Sequence, residues 1–230
     1  VMVAEGGKLL ATGSAIDAKM RGRLRKAIRG GRFTGKSGET LDLPAPAGIG
    51  ASRLLAIGIG DSSAIDAQCA ESIGGKLAAA LNKAGEKTAF VAVDPLKGSS
   101  LDLASMAAHL GCGLRLASYR FDQYKTKSAT KRQPVLGSVT LMLSSHVDAR
   151  RRFATLNKVV DGVFLTRDLV SEPANRLFPQ SFAERALRLN GVHGLKVEVL
   201  SRPVMEKLGM GALLGVAQGS AHEPKMVVFR

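Results

Sequence analysis

The segment Gly30-Gly31-Arg32-Phe33-Thr34-Gly35-Lys36-Ser37 has the residue types and spacing of a phosphate cradle, G-x-x-x-x-G-K-[ST]. In such a cradle, glycines let backbone N–H groups close around a phosphate, while the lysine and hydroxyl serve its charge and its magnesium ion. The chemistry also requires a strand before the loop and a helix after it, so that the helix N-terminus faces the anion. The flanks here run the other way. Ile16, Met20, Leu24 and Ile28 form one apolar stripe at helical spacing, whereas Gly38 to Pro44 alternates like a strand and ends in proline. Residues 30–37 are therefore expected to turn from helix into strand, with Lys36 in solvent. Gly58-Ile59-Gly60 hints at a dinucleotide fingerprint, but its third glycine position is Ser63, and a tight strand-to-helix turn accounts for it.

Other reactive residues form no centre. Arg21, Arg25, Arg29 and Arg32, with Arg23 and Lys26 nearby, lie along one side of the first helix and read as a solvated face; a nucleic-acid patch is the sharper alternative. The histidines His109, His146, His193 and His222 are isolated, with no H-E-x-x-H, C-x-x-C or G-x-S-x-G pattern anywhere. Asp148, Asp161, Asp168, Glu172 and Glu184 are spread along helices without pairing as acid and base. No catalytic, metal-ligating or substrate-binding residue is assigned. Cys69 and Cys112 lie in apolar helical runs and are expected to be reduced, buried thiols rather than a disulfide.

The elements that position these residues alternate. Arg53–Ile57 reads as a buried strand, and Ser62–Ala84 as a helix carrying Ile65, Cys69, Ile73, Leu77 and Leu81, capped by Asp61 or Ser62 and closed by Gly85. Thr88–Val93, a helix over Leu101–Phe121 and a strand over Val139–Leu143 follow. This order implies a sheet with helices packed against it. Between the last two, Asp122–Pro134 is polar, basic and aperiodic, as a surface loop would be. Arg150–Ser171 reads as one long connecting helix that packs on both domains and is stopped by Pro173. Pro179–Leu189 is a shorter helix, followed by a strand over Leu195–Leu200, short helices at Val204–Leu208 and Ala212–Val216, and a strand over Met226–Phe229.

Of 230 residues, 45% are hydrophobic and 23% charged, a globular balance, and no apolar run is long enough to span a membrane. Val1–Ala4 gives way at once to Glu5-Gly6-Gly7-Lys8, unlike a signal peptide. Both ends fall in strand-like runs, so the chain is expected to be a piece of a longer protein. The formal charge of +14 is spread along the chain and permits anionic partners, but with 8 Phe, 2 Tyr and no Trp a base-stacking platform is not expected.

One long stretch is more specific than any short motif. Leu165-Thr166-Arg167-Asp168-Leu169-Val170-Ser171-Glu172-Pro173-Ala174-Asn175 resembles the opening of the catalytic domain in leucyl aminopeptidases. Val197–Leu200, Met205–Ser220 and Glu223–Val228 continue the resemblance in order, and Phe33–Glu39 and Leu54–Gly60 are similar to the family's N-terminal domain. Phe178 departs from it, standing where the family has a Thr or Ser helix cap. The resemblance implies an α/β protein: a three-layer, macro-like N-terminal domain with a mixed sheet over 1–147, then over 148–230 a linker helix and the opening of a zinc-peptidase-like domain. It implies a cytoplasmic, hexameric metallo-aminopeptidase that releases N-terminal amino acids from peptides, leucine preferred, using two divalent ions, manganese or zinc. The family's K-G-x-x-F-D-[ST]-G-G and N-T-D-A-E-G-R stretches have no counterpart here, so neither turnover nor bound metal is expected of this chain. The alternatives are a nucleic-acid-binding protein using the basic N-terminal domain, and a nucleotide-binding module.

Overall fold

A computed structural model describes residues 1–126 and 136–230, so residues 127–134 of the expected polar loop lie outside the described residues. The chain divides into two compact units, Val1–Phe164 and Leu165–Arg230. The sequence places the boundary at 147/148, ahead of the helix expected over Arg150–Ser171; the observed units divide at 164/165, inside the helix.

In the first unit, β1 (Met2–Ala4), β2 (Lys8–Leu9), β3 (Thr40–Pro44) and β4 (Arg53–Gly60) form a mixed sheet in the order β2-β1-β4-β3. β1 runs parallel to β4, and the other two pairings are antiparallel. Successive strand side chains point to opposite faces, and both faces are covered. Val3, Leu54 and Ala56 pack with Met20, Leu24, Ile28 and Phe33 on one side. Met2, Ile57 and Ile59 pack with Ile73, Leu77, Met106 and Leu110 on the other. The first cluster holds α1 (Ala11–Lys19) and α2 (Arg23–Gly30), the second α3 (Ala67–Lys83) and α4 (Leu103–Leu116). The result is helix, mixed sheet, helix: three layers, as the resemblance implies. A parallel pair, β5 (Thr88–Ala92) with β6 (Ser138–Met142), carries Val91 and Val139 into the second cluster.

Several elements differ from the periodicity. The single helix expected over 16–28 is two, because Arg21 (φ 53°) and Gly22 (φ 77°) turn the backbone left-handed between them; the apolar stripe survives the break because both helices share one core. The helix expected from Ser62 begins at Ala67, where Asp66 accepts a hydrogen bond from Cys69 N–H at 2.8 Å; Asp61 caps only a short 3-10 turn at Ser62–Ala64. The core face of α3 is Ala70, Ile73, Gly74, Leu77, Ala78 and Leu81, so Cys69 falls outside it and is exposed; only Cys112 is buried. α4 begins two residues later than expected, where Asp102 accepts from Ser105 N–H at 2.8 Å, and it ends before Ala117.

Two long-range constraints tie these layers together. Asp94, 6% exposed, accepts the Thr12 hydroxyl at 2.6 Å and the Thr12 N–H at 3.1 Å, so a carboxylate 82 residues away caps α1. α3 and α4 touch backbone to backbone. A Cβ on Gly74 would meet Leu110 O at 2.2 Å, and one on Gly113 would meet Glu71 O at 1.9 Å.

α5 (His146–Ser171) is one continuous helix of 26 residues, as its periodicity indicates. It begins four residues earlier than expected. Within the first unit its Ala149 and Val160 are buried, and Phe164 packs against the Tyr119 ring at 5.3 Å. The second unit contains α6 (Pro179–Leu187), β7 (Val197–Leu200), α7 (Arg202–Lys207), α8 (Gly211–Ala217) and β8 (Met226–Phe229), with β7 and β8 antiparallel. Ala183, Ala186 and Met205 form its buried centre, while Val170, Leu208, Val216 and Phe229 remain exposed.

The glycine contact yields a paired prediction. Gly113→Ala should destabilise the protein by about 3 kcal/mol, since backbone must move to admit the methyl group. Gly75→Ala, whose nearest neighbour would be Gly113 O at 3.9 Å, should be neutral or stabilising by up to about 1 kcal/mol from helix propensity. Urea midpoints of the two variants check this; equal effects would remove the contact from the account.

Candidate functional site

The cradle-like segment is already filled from within. α2 ends at Gly30 and β3 begins at Thr40, so a helix precedes the loop and a strand follows it. The N–H groups of Thr34 and Gly35 donate to Glu39 Oε2 at 2.7 and 3.0 Å, and the Thr34 hydroxyl reaches the same carboxylate at 3.0 Å. The Thr34 backbone bond, above all, holds the Glu39 carboxyl below the usual carboxylate range; burial opposes it, and the Thr34 hydroxyl and the Gly35 and Lys36 N–H groups each add a smaller lowering effect. The donors that would cradle a phosphate thus face a carboxylate four and five residues on, and Lys36 is exposed.

The loop is also pinned to the sheet. Gly35 (φ 83°) lies so close to β1 that a Cβ would meet Ala4 O at 2.2 Å, and a Cβ on Gly58 would meet Lys36 O at 2.2 Å. Gly38 N–H donates to Gly58 O at 2.8 Å, and Gly60 N–H to Gly35 O at 2.9 Å. The strand-to-helix turn expected at 58–60 is therefore corrected: Gly58 and Gly60 are residues of β4, Gly58 small because the loop backbone crosses over it and Gly60 a glycine because its φ of 76° is left-handed. An acidic residue shortly after the G-K-S was the available signal for the internal occupant.

The remaining candidates stay apart. Arg21, Arg23, Arg25, Lys26, Arg29 and Arg32 are all exposed, and Arg25 pairs with buried Asp17 at 3.3 Å. His109 Nδ1 lies 2.8 Å from Glu71 Oε1 in the α3–α4 contact. Burial, with Glu71 adding to it, pushes the neighbouring Cys112 thiol up to about 11, so it is protonated and inert at neutral pH. His146 opens α5, His193 lies in a 3-10 turn and His222 stacks on the Phe178 ring at 4.4 Å. Asp148 pairs with Arg151, Asp161 with Arg115, and Glu172 with Arg185, while Glu184 accepts from Gln180. Asp168 lies on α5. Among the described residues, no three His, Cys, Asp or Glu side chains are placed to hold a metal ion.

The Leu165–Asn175 stretch is the end of α5 and the bend that follows. Arg176 and Leu177 N–H groups both donate to Pro173 O, at 2.8 and 2.9 Å, which fixes the approach to α6. Phe178 cannot cap that helix with its side chain. Ser181 makes good half of the loss: its hydroxyl accepts from Phe178 N–H at 3.0 Å.

A cavity of about 700 Å³ opens in the first unit between α4, β6 and α5. Ala108, Gly111 and Leu114 form one wall, residues 136–141 the floor, and Arg150 and Phe153 the other wall. Periodicity gives no sign of it.

The sequence matches the N-terminal domain of the cytosol aminopeptidase family over residues 1–128 and the catalytic domain of the same family over residues 164–230. A probable cytosol aminopeptidase of a Bradyrhizobium species is 42% identical across all of this chain and 46% of its own length; one from Caulobacter vibrioides is 40% identical across all of the chain and 45% of its own. The chain spans about half the length of these relatives. A tomato leucine aminopeptidase mutant superposes with a TM-score of 0.79 at 28% identity, over 94% of this chain and 42% of that one. The bottromycin maturation enzyme BotP in complex with Mn shares the fold at a TM-score of 0.73, with 24% identity over 98% of this chain and 43% of that one.

If Glu39 fills the loop, MgATP should leave the melting temperature unchanged at millimolar concentration. Glu39→Gln should destabilise the protein at neutral pH. Because the folded carboxyl titrates below its unfolded range, its stabilisation is present above that range and lost as pH falls through the folded value. The difference between wild type and Glu39→Gln should therefore shrink from about pH 7 to about pH 3, measured by denaturation at each pH; a constant difference would contradict the assignment.

Proposed function

The chain belongs to the cytosol aminopeptidase family, and from that premise we propose that the full-length protein is a metal-dependent aminopeptidase releasing N-terminal amino acids from peptides, leucine preferred. The observation that carries the reading is the pair of matches, N-terminal then catalytic, in the family's order along one chain. The likeness to a tomato leucine aminopeptidase supports it at the level of fold. The chain's own part is architectural: a three-layer first unit, then α5 and elements of the catalytic domain.

Divalent metal, manganese or zinc, belongs to the same proposal, since BotP is described in complex with Mn. The described residues do not fit such a centre, because they bring no ligand set together. The ligands and the groups that act on the peptide are therefore proposed to lie in the remainder of the catalytic domain. No helix of the described residues is long and apolar enough to cross a membrane; a cytoplasmic location and a homo-hexamer are proposed on the family resemblance. Nucleic-acid binding, the alternative raised by the charge, rests only on the exposed cations of α2, and none of the relatives named above is described by it.

Full-length protein stripped by chelation and resupplied with manganese or zinc should hydrolyse leucine p-nitroanilide, and residues 1–230 alone should not exceed the chelated blank. Inactive metal-loaded full-length protein would count against the family function. Turnover by the short chain would place the chemistry within residues 1–230.

A further inference from the structure

We propose that the cavity between α4, β6 and α5 is a binding site for a molecule made of an apolar chain that ends in a carboxylate. Its volume of about 700 Å³ is that of small-molecule sites, and its walls are largely aliphatic. Gly111 shapes it. A Cβ there would lie 3.1 Å from the Phe153 ring, so the missing side chain lets α5 approach α4 at that level.

The floor carries the first polar feature. The lining residues 136–141 are consecutive, so the edge of β6, rather than one face of it, looks into the cavity. Among the described residues β6 pairs only with β5, which leaves the backbone N–H and C=O groups of its other edge open to a ligand. This edge has neither lysine nor proline, the residues that commonly protect one.

Charge selects the ligand's sign. Arg115, His146 and Arg150 line the cavity, and among the described residues no Asp or Glu does. Arg115 is committed, 2.8 Å from Asp161 and stacked over the Phe164 ring at 5.3 Å. Arg150 has no ion-pair partner among the described residues, and it sits in the second turn of α5. Among the described residues, the solvent-shielded hydroxyl of Ser145, just before α5, has no hydrogen-bond partner. One uncommitted guanidinium matches one carboxylate by a bidentate pair. A nucleotide fits poorly: its phosphates call for several uncommitted cations, and the Phe164 ring is already covered by Arg115 and Tyr119.

The chemistry could come from a medium-chain fatty acid or from the C-terminal end of an apolar peptide, and one titration separates them. Metal-stripped full-length protein is titrated calorimetrically with decanoate, decanol, N-acetyl-trileucine and its C-terminal amide. At least one of the two acids should bind one to one, at least tenfold tighter than its uncharged counterpart. Arg150→Gln, and Thr140→Trp at an exposed lining position, should each weaken that acid at least tenfold while the melting temperature holds. Binding of the uncharged member as tightly as its acid, undiminished binding by Arg150→Gln, or no binding of either acid at millimolar concentration would overturn the proposal. Whichever acid binds identifies the source.

Discussion

The contact on which the first unit depends is the one between the backbones of α3 and α4. Gly74 and Gly113 have no side chains, and each faces a carbonyl oxygen of the other helix at a distance no methyl group could occupy. Helices this close present a narrow double ridge to the sheet, so Ile73, Leu77, Met106 and Leu110 all reach the same cluster as Ile57 and Ile59. The α4 glycines serve two sides. Gly113 admits α3, and Gly111, two residues earlier and so on another face, admits Phe153 of α5. A larger residue at either position would shift α4, and with it the helix that leads toward the second unit.

The features of the first unit that look most like active chemistry are structural devices. The carboxylate of Glu39 occupies the donors of the cradle-like loop, and the loop in turn needs Gly58 in order to cross β4. Asp94 spends its charge on the first turn of α1. His109, Glu71 and Cys112 lie together at the α3–α4 seam, where burial keeps the thiol protonated. These groups are satisfied by internal partners, as buried polar groups generally are.

Sequence patterns reached the elements with strong periodicity and failed where backbone geometry decides. β4, α5, β7 and β8 were legible because apolar residues recur at the period of the element, and the long leucyl-aminopeptidase-like stretch was legible because it runs in order over many residues. The break between α1 and α2 was not, since Met20 and Leu24 keep helical spacing across a left-handed Arg21-Gly22 turn. Cys69 was misread for a related reason: its four-residue spacing from Ile65 and Ile73 suggests a common face, but Ile65 precedes the helix. The glycine seam, the Asp94 cap and the cavity depend on contacts between residues far apart in the chain, which no local period encodes.

In the proposed function these residues build the framework, and the metal chemistry belongs to the rest of the catalytic domain. The most direct test is the manganese content of the full-length protein after exposed carboxylates of the second unit are neutralised together, Glu184→Gln, Glu198→Gln, Glu206→Gln and Glu223→Gln. After equilibrium dialysis this variant should hold the same metal per chain as the wild type. Loss of one or more bound ions, in protein that still melts cooperatively, would contradict it.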